Sequence, residues 1–196
     1  MTERVVQAGG RAPPAAGARV RVWDPVVRLF HWTVVTGCVL NLFILEDGES
    51  PHRIVGYVVA GALAVRLVWG FTGTKYARFA DFVPTPARLV AYVRALRHGH
   101  EPRLLGHNPA GAAMMLALMA LLAGVCLTGW MSTLDAFWGE DWLEELHETL
   151  ANAILVLALL HAAAALFESV RHRENLVWSM VTGWKKAVSA DAASSG

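Results

Sequence analysis

Four long apolar runs constrain this chain more than any other feature. They lie at about 26–45, 54–71, 109–131 and 143–167. A hydrocarbon core of about 30 Å is crossed by roughly 20 residues of helix, and each run is close to that length or exceeds it. The apolar residues are gathered into these runs rather than spread at the periodicity of a soluble core. Composition agrees: 55% of the chain is hydrophobic and 17% charged, against roughly 25% charged in an ordinary soluble domain. Start signals precede the runs. Pro25 follows Trp23-Asp24, Ser50-Pro51-His52 leads into the second run, and Asn108-Pro109 opens the third. The first run has no small-residue cleavage site behind it and is read as a span rather than a leader.

Charge orients the spans. Arg4, Arg11, Arg19, Arg21 and Arg28 precede or open the first run. Lys75, Arg78, Arg88, Arg94, Arg97 and Arg103 fall between the second and third, and Arg171, Arg173, Lys185 and Lys186 follow the fourth. On the opposite side only Arg53 is positive, beside Glu46, Asp47, Glu49, Asp135, Glu140, Asp141, Glu144 and Glu145. The positive-inside rule places the basic side in the cytoplasm. The expected fold class is all-α: an integral membrane four-helix bundle with both termini cytoplasmic. Residues 20–186 form its single domain, and 1–19 and 187–196 are disordered tails. Residues 85–97 have a Thr-Pro start and apolar positions at helical spacing, which predicts an amphipathic helix on the cytoplasmic surface. Cys38 and Cys126 lie inside apolar runs and read as small space-filling residues. Trp130, Trp138 and Trp142 on one side, and Trp23, Trp69, Trp178 and Trp184 on the other, read as interfacial anchors. Nothing in the sequence points to nucleic acid.

An ionisable group within a span is costly and marks a functional site by default. Among the eight histidines, four fall at span depth. His31 lies near the cytoplasmic end of the first run and His52 at the outer start of the second. His147 is near the outer start of the fourth, with His161 deeper. The fourteen residues between His147 and His161 are nearly four turns, so both project from about one face, roughly 21 Å apart. His52 can then meet His147 at the outer level and His31 can meet His161 at the inner level. Two imidazoles facing each other suit the axial positions of a haem iron and are too few for a closed zinc site. Small residues on the ligand helices, such as Gly61, Ala62 and Ala162 to Ala165, leave room for a flat macrocycle. The bland alternative is that each histidine is a hydrogen-bonding helix contact.

Arg66 follows His52 by fourteen residues, faces the same way and reaches the inner level. It is a candidate partner for a haem propionate, as is Arg28, with snorkelling to the headgroups as the alternative for both. His98, His100 and His172 sit in basic cytosolic segments and read as solvated. His107, before Asn108-Pro109, reads as a capping or interfacial residue that a quinone headgroup could also use.

The segments WDPVVRLFHW (23–32), HRIVGYVVAGALAVRLVW (52–69), GHNPAGA (106–112) and LHETLANAILVLALLHAAAAL (146–166) resemble the bacterial cytochrome b561 family, which includes the b-type subunits of nickel–iron hydrogenases. The resemblance covers all four runs in order, and the His147–His161 pair is its most specific part. It implies a protein of the bacterial cytoplasmic (inner) membrane with two haems b, ligated by His31 with His161 and by His52 with His147. It also implies electron exchange with the quinone pool, ubiquinone or another quinone.

The function expected is a transmembrane electron-transfer cytochrome linking quinones to a periplasmic redox protein, a cytochrome c or a hydrogenase, rather than a free-standing oxidoreductase. The acidic outer face would steer a cationic partner. It disfavours the alternative of superoxide oxidation, since an anionic substrate would be repelled. A b-type anchor subunit of a hydrogenase is the other alternative.

Overall fold

Three of the long helices begin where the sequence supplies a proline, at Pro25, Pro51 and Pro109. The computed structural model describes residues 19–83, 85–97, 109–171 and 174–186. Helix α1 (Pro25–Phe43) is capped by Asp24, whose Oδ1 accepts from the Val27 N–H at 2.9 Å. Pro25 occupies the first turn, where no N–H is needed. Helix α2 (Ser50–Thr72) again carries proline in its first turn. The short α3 (Phe79–Phe82) and the twelve-residue α4 (Pro86–Arg97) fill the connection to α5 (Pro109–Met131). A 3-10 turn at Asp135–Phe137 leads into α6 (Asp141–Arg171), with Asp141 and Glu144 in its first turn and Arg171 in its last, all complementing the helix dipole. Helix α7 (Leu176–Thr182) is the last helix among the described residues.

Four of these helices, α1, α2, α5 and α6, are long and apolar enough to cross a membrane. Their bounds differ from the sequence expectation mainly at the ends. Helix α2 starts at Ser50 rather than Ile54, because Pro51 in a first turn does not interrupt helix. Helix α6 runs from Asp141 to Arg171, about 46 Å, and so outreaches the hydrocarbon at its ends. Helix α1 stops at Phe43, where both Ile44 N–H and Leu45 N–H donate to the Leu40 carbonyl and the ladder unwinds. The tails, apart from Arg19, and His98, His100, His107 and His172 lie outside the described residues.

The core is thin. Val59 and Leu63 from α2, Met119 and Leu122 from α5 and Ile154 from α6 form one buried cluster, with Phe30, Val34, Cys38 and Cys126 packed against it. Both cysteines are free. Most of the apolar surface faces outward instead. Only 6% of the most apolar stretch of α6 is buried inside the protein, and Leu29, Phe71, Leu159 and Phe167 are exposed. So much exposed apolar surface would precipitate a soluble domain and suits a chain solvated by lipid. Backbones pack closely between α1 and α2, α2 and α5, and α5 and α6, whereas α6 approaches α1 and α2 at few points or none.

Alternation of the spans gathers the charge at two ends. Glu46, Asp47, Glu49, Asp135, Glu140, Asp141, Glu144 and Glu145 flank the α1–α2 and α5–α6 connections; the opposite end carries Arg19, Arg21, Arg28, Lys75, Arg78 and Lys185. Among the described residues, the basic end holds the one departure from an all-α chain. Strand β1 (Arg19–Arg21) pairs antiparallel with β2 (Trp184–Lys186), Val20 opposite Lys185. Three-residue strands joined across the whole length of the chain leave no local pattern to read. Gly183 between α7 and β2 adopts φ +89°, a left-handed C-cap. Its carbonyl accepts from Val22 N–H at 3.0 Å and Trp23 N–H at 3.2 Å.

Asp24 is the joint of this end. It is 6% exposed, and besides capping α1 its Oδ2 accepts from Thr74 Oγ1 at 2.6 Å and Trp69 Nε1 at 2.9 Å. Burial works to raise the pKa of this carboxyl, but the bonds from Thr74, Trp69, Val27 and Val26 together outweigh it and hold the group below its ordinary range. Trp23 is buried, with its indole N–H 3.4 Å from Ser179 Oγ and Lys185 over its ring. Trp23, expected as an interfacial anchor, is instead a buried joint between elements, and the half-buried Trp69 bonds to Asp24. Trp130, Trp138, Trp142, Trp178 and Trp184 are exposed, as anchors would be.

Candidate functional site

The four span histidines are all half-buried, and the structure sorts them into two levels. Near the acidic end, His52 in the first turn of α2 faces His147 in the second turn of α6. Their ring centroids are 6.3 Å apart and the ring planes are inclined at 55°. Nearer the basic end, His31 on α1 lies within electrostatic reach of His161 on α6. Each pair bridges two helices whose backbones do not pack closely, α2 with α6 and α1 with α6.

A metal–imidazole bond is about 2 Å long, and a ring nitrogen lies about 1.1 Å from the ring centre. Two imidazoles on opposite sides of one ion therefore have centroids about 6 Å apart. The His52–His147 spacing fits that requirement without movement of the helices. It is too long for a direct ring–ring hydrogen bond in line. Among the described residues no group of three or more His, Cys, Asp or Glu side chains comes together as a metal cluster. Facing imidazoles in pairs could supply two nitrogens to a group that brings its own remaining ligands, such as a macrocycle.

The surroundings of the two pairs differ. His147 Nδ1 lies 2.9 Å from Thr128 Oγ1 on α5. Thr128 is buried, with its hydroxyl within 3.0 Å of the Gly124 carbonyl and 3.1 Å of the Val125 carbonyl. Gly129 makes room for the ring: a Cβ there would lie 3.1 Å from His147 Cε1. His52 Nδ1 is 3.6 Å from Asp47 Oδ1, and the His52 carbonyl accepts from Asn41 Nδ2 at 3.2 Å, which ties the start of α2 to α1. His31 Nδ1 is buried without a hydrogen-bond partner among the described residues. Thr128 and Gly129 escaped the sequence reading. Their only signal was a polar residue and a glycine together near the end of an otherwise aliphatic run.

Arg66, expected as a propionate partner, is 1% exposed. Its guanidinium donates to the Ala77 carbonyl at 3.0 Å, lies 5.2 Å from the centroid of the Phe79 ring and interacts electrostatically with Asp24. It therefore ties α2 to the Thr74–Phe79 segment, and it does not snorkel to solvent. Arg28 turns to the Thr182 carbonyl at 3.3 Å, so it too has a structural partner at the basic end.

The sequence profile of the family described as prokaryotic cytochrome b561 matches residues 22–183. Similar proteins include three described as probable Ni/Fe-hydrogenase B-type cytochrome subunits. That from Rhodobacter capsulatus is 25% identical, covering 84% of this chain and 80% of its own. That from Azotobacter vinelandii is 24% identical over 85% of this chain and 88% of its own. That from Cupriavidus necator is 24% identical over 93% and 96%. No solved structure matches the chain.

Proposed function

The chain belongs to the prokaryotic cytochrome b561 family and is a membrane b-type cytochrome that transfers electrons; from that premise we propose that it holds two haems b, each between a pair of histidines, and links the quinone pool to a periplasmic redox partner. His52 and His147 hold the haem at the acidic end; His31 and His161 hold the one at the basic end. The observation that carries this reading is the 6.3 Å spacing of the His52 and His147 rings across two helices whose backbones do not pack closely. Haem supplies the one-electron couple. His52 with His147, and His31 with His161, would hold the two haems through their ring nitrogens, and the apolar span residues around them would give a low-dielectric setting suited to electron transfer.

In this reading the basic end faces the cytoplasm and the acidic end the periplasm, which the asymmetry of Lys and Arg supports. Arg66, about 21 Å inward from His52 along α2, would add a buried cation near the level of His31 and His161, and a propionate there would compete with its contacts to Ala77 and Phe79. The names of the similar proteins support a hydrogenase as the periplasmic partner. The acidic end supports a second reading, a cationic cytochrome c, whose association would weaken steeply with salt. Co-purification with a large redox partner decides between them.

The test of the core claim is the difference spectrum, dithionite-reduced minus oxidised, with haem-to-protein stoichiometry, for the wild type and His147→Ala in mild detergent. Two b-type haems falling to about one are expected. No haem in the wild type under haem-replete expression, or undiminished stoichiometry in the variant, would sink the assignment.

A further inference from the structure

We propose that Thr128 is a positioning residue of the electron-transfer site: its hydroxyl holds the His147 imidazole in the Nδ1-protonated form and thereby sets the potential of the haem that His52 and His147 hold. The inference rests on the reading of His147 as an axial ligand.

The contact is local and fully specified. Thr128 Oγ1 and His147 Nδ1 are 2.9 Å apart. A neutral imidazole carries its single proton on one nitrogen, and only the other can bind a metal. With Nε2 on iron, the proton resides on Nδ1 and must be donated. The acceptor at Nδ1 is the Thr128 oxygen. The hydroxyl's own hydrogen then has its place on the Gly124 carbonyl, 3.0 Å away, or the Val125 carbonyl, 3.1 Å away. Thr128 is 4% exposed, so water does not compete for these bonds. Gly129, the next residue, lets the ring lie close against α5, since a Cβ there would crowd His147 Cε1. Side chain and backbone of one helical turn thus fix the tilt and tautomer of a ring on another helix.

A hydrogen bond accepted from Nδ1–H makes the ring a stronger donor to the metal, and this favours ferric over ferrous iron. Removing the acceptor should raise the potential. The effect is confined to one haem, because His31 Nδ1 at the other level has no hydrogen-bond partner among the described residues. A purely structural role for Thr128, such as back-bonding to its own helix, would leave the potential unmoved.

The experiment is an equilibrium redox titration of the purified haem-loaded protein, with the ferric low-spin EPR signals, for wild type, Thr128→Val, Thr128→Ser and His147→Ala. Valine keeps the shape and loses the hydroxyl; serine keeps the hydroxyl and loses the methyl. Thr128→Val should raise one midpoint, that of the haem missing in His147→Ala. The ferrous-to-ferric ratio at fixed potential should rise several-fold to about tenfold, the latter being about 59 mV for one electron. Thr128→Ser should behave as wild type. Loss of that one haem in the valine variant with retention in the serine variant would equally support the role. Two retained haems with unchanged midpoints and EPR signals in Thr128→Val would overturn it, as would a serine variant that shifts like valine. If His147→Ala keeps both haems, the ligand reading itself has failed.

Discussion

Replacing Asp24 should loosen the basic end of the protein while leaving the spans helical. The carboxylate accepts three hydrogen bonds that join α1, α2 and the connection after α2, at 2.9, 2.9 and 2.6 Å. In Asp24→Ala the cap of α1 is lost, which costs about 1 kcal/mol. The partly buried Trp69 N–H is left without its acceptor, at about 1–2 kcal/mol, and the Thr74 hydroxyl can rotate elsewhere. The expected loss is about 2–3 kcal/mol, or a fall in Tm of about 5–10 °C for a chain of this size. Asp24→Asn keeps an oxygen for the cap but turns amide hydrogens towards Trp69, so roughly half the loss is expected. The assay is thermal unfolding in mild detergent followed by far-UV circular dichroism. The pH dependence has a definite sign. The folded carboxyl titrates below its ordinary value of 3.8, so its contribution is fully present above that value and is lost as pH falls below it. The gap between wild type and Asp24→Asn should be flat near neutral pH and close in acid. An alanine variant that melts within about 2 °C of wild type, or a gap that persists unchanged in strong acid, would refute the reasoning.

Gly183→Ala should cost about 1–2 kcal/mol, because a left-handed residue gains a Cβ that would lie 2.7 Å from the Trp23 carbonyl oxygen; hydrogen exchange should quicken at the Val22 and Trp23 amides and stay slow in the spans. Arg66→Gln removes the donor to Ala77 and the cation over Phe79 and should destabilise by about 1–3 kcal/mol, measured by the same melting assay. If Arg66 also pairs a propionate, the midpoint of the His31–His161 haem falls in Arg66→Gln, because a cation that favours the ferrous state is gone, while the other haem is unmoved. Arg66→Lys should keep that midpoint and lose part of the stability, since lysine lacks the planar fork.

Much of the architecture was legible before any coordinates. A helix in lipid needs only length and apolar composition, so the runs around 26–45, 54–71, 109–131 and 143–167 located the spans to within a few residues at their ends. The asymmetry of charge between alternate connections is likewise a property of the chain read in order. Helical periodicity put His147 and His161 on one face, and depth alone suggested which histidine on another helix each could meet.

Contacts across distant parts of the chain had no such signature. Asp24 looked like an ordinary cap, and nothing local announced that Trp69 and Thr74 would share its carboxylate. Trp23 matches the composition of an interfacial belt, yet it is buried, with Ser179 beside its indole N–H. The ribbon of Arg19–Arg21 with Trp184–Lys186 joins the two ends of the described chain. Thr128 and Gly129 are meaningful only because α5 lies beside α6 at the height of His147. The sequence by itself determined how many times this chain can cross a membrane and at what depths its histidines lie, because burial in lipid is decided residue by residue along each helix. Only the tertiary structure decided which groups hold those helices and rings in place, because hydrogen bonds depend on direction and distance between residues that sequence order does not bring together.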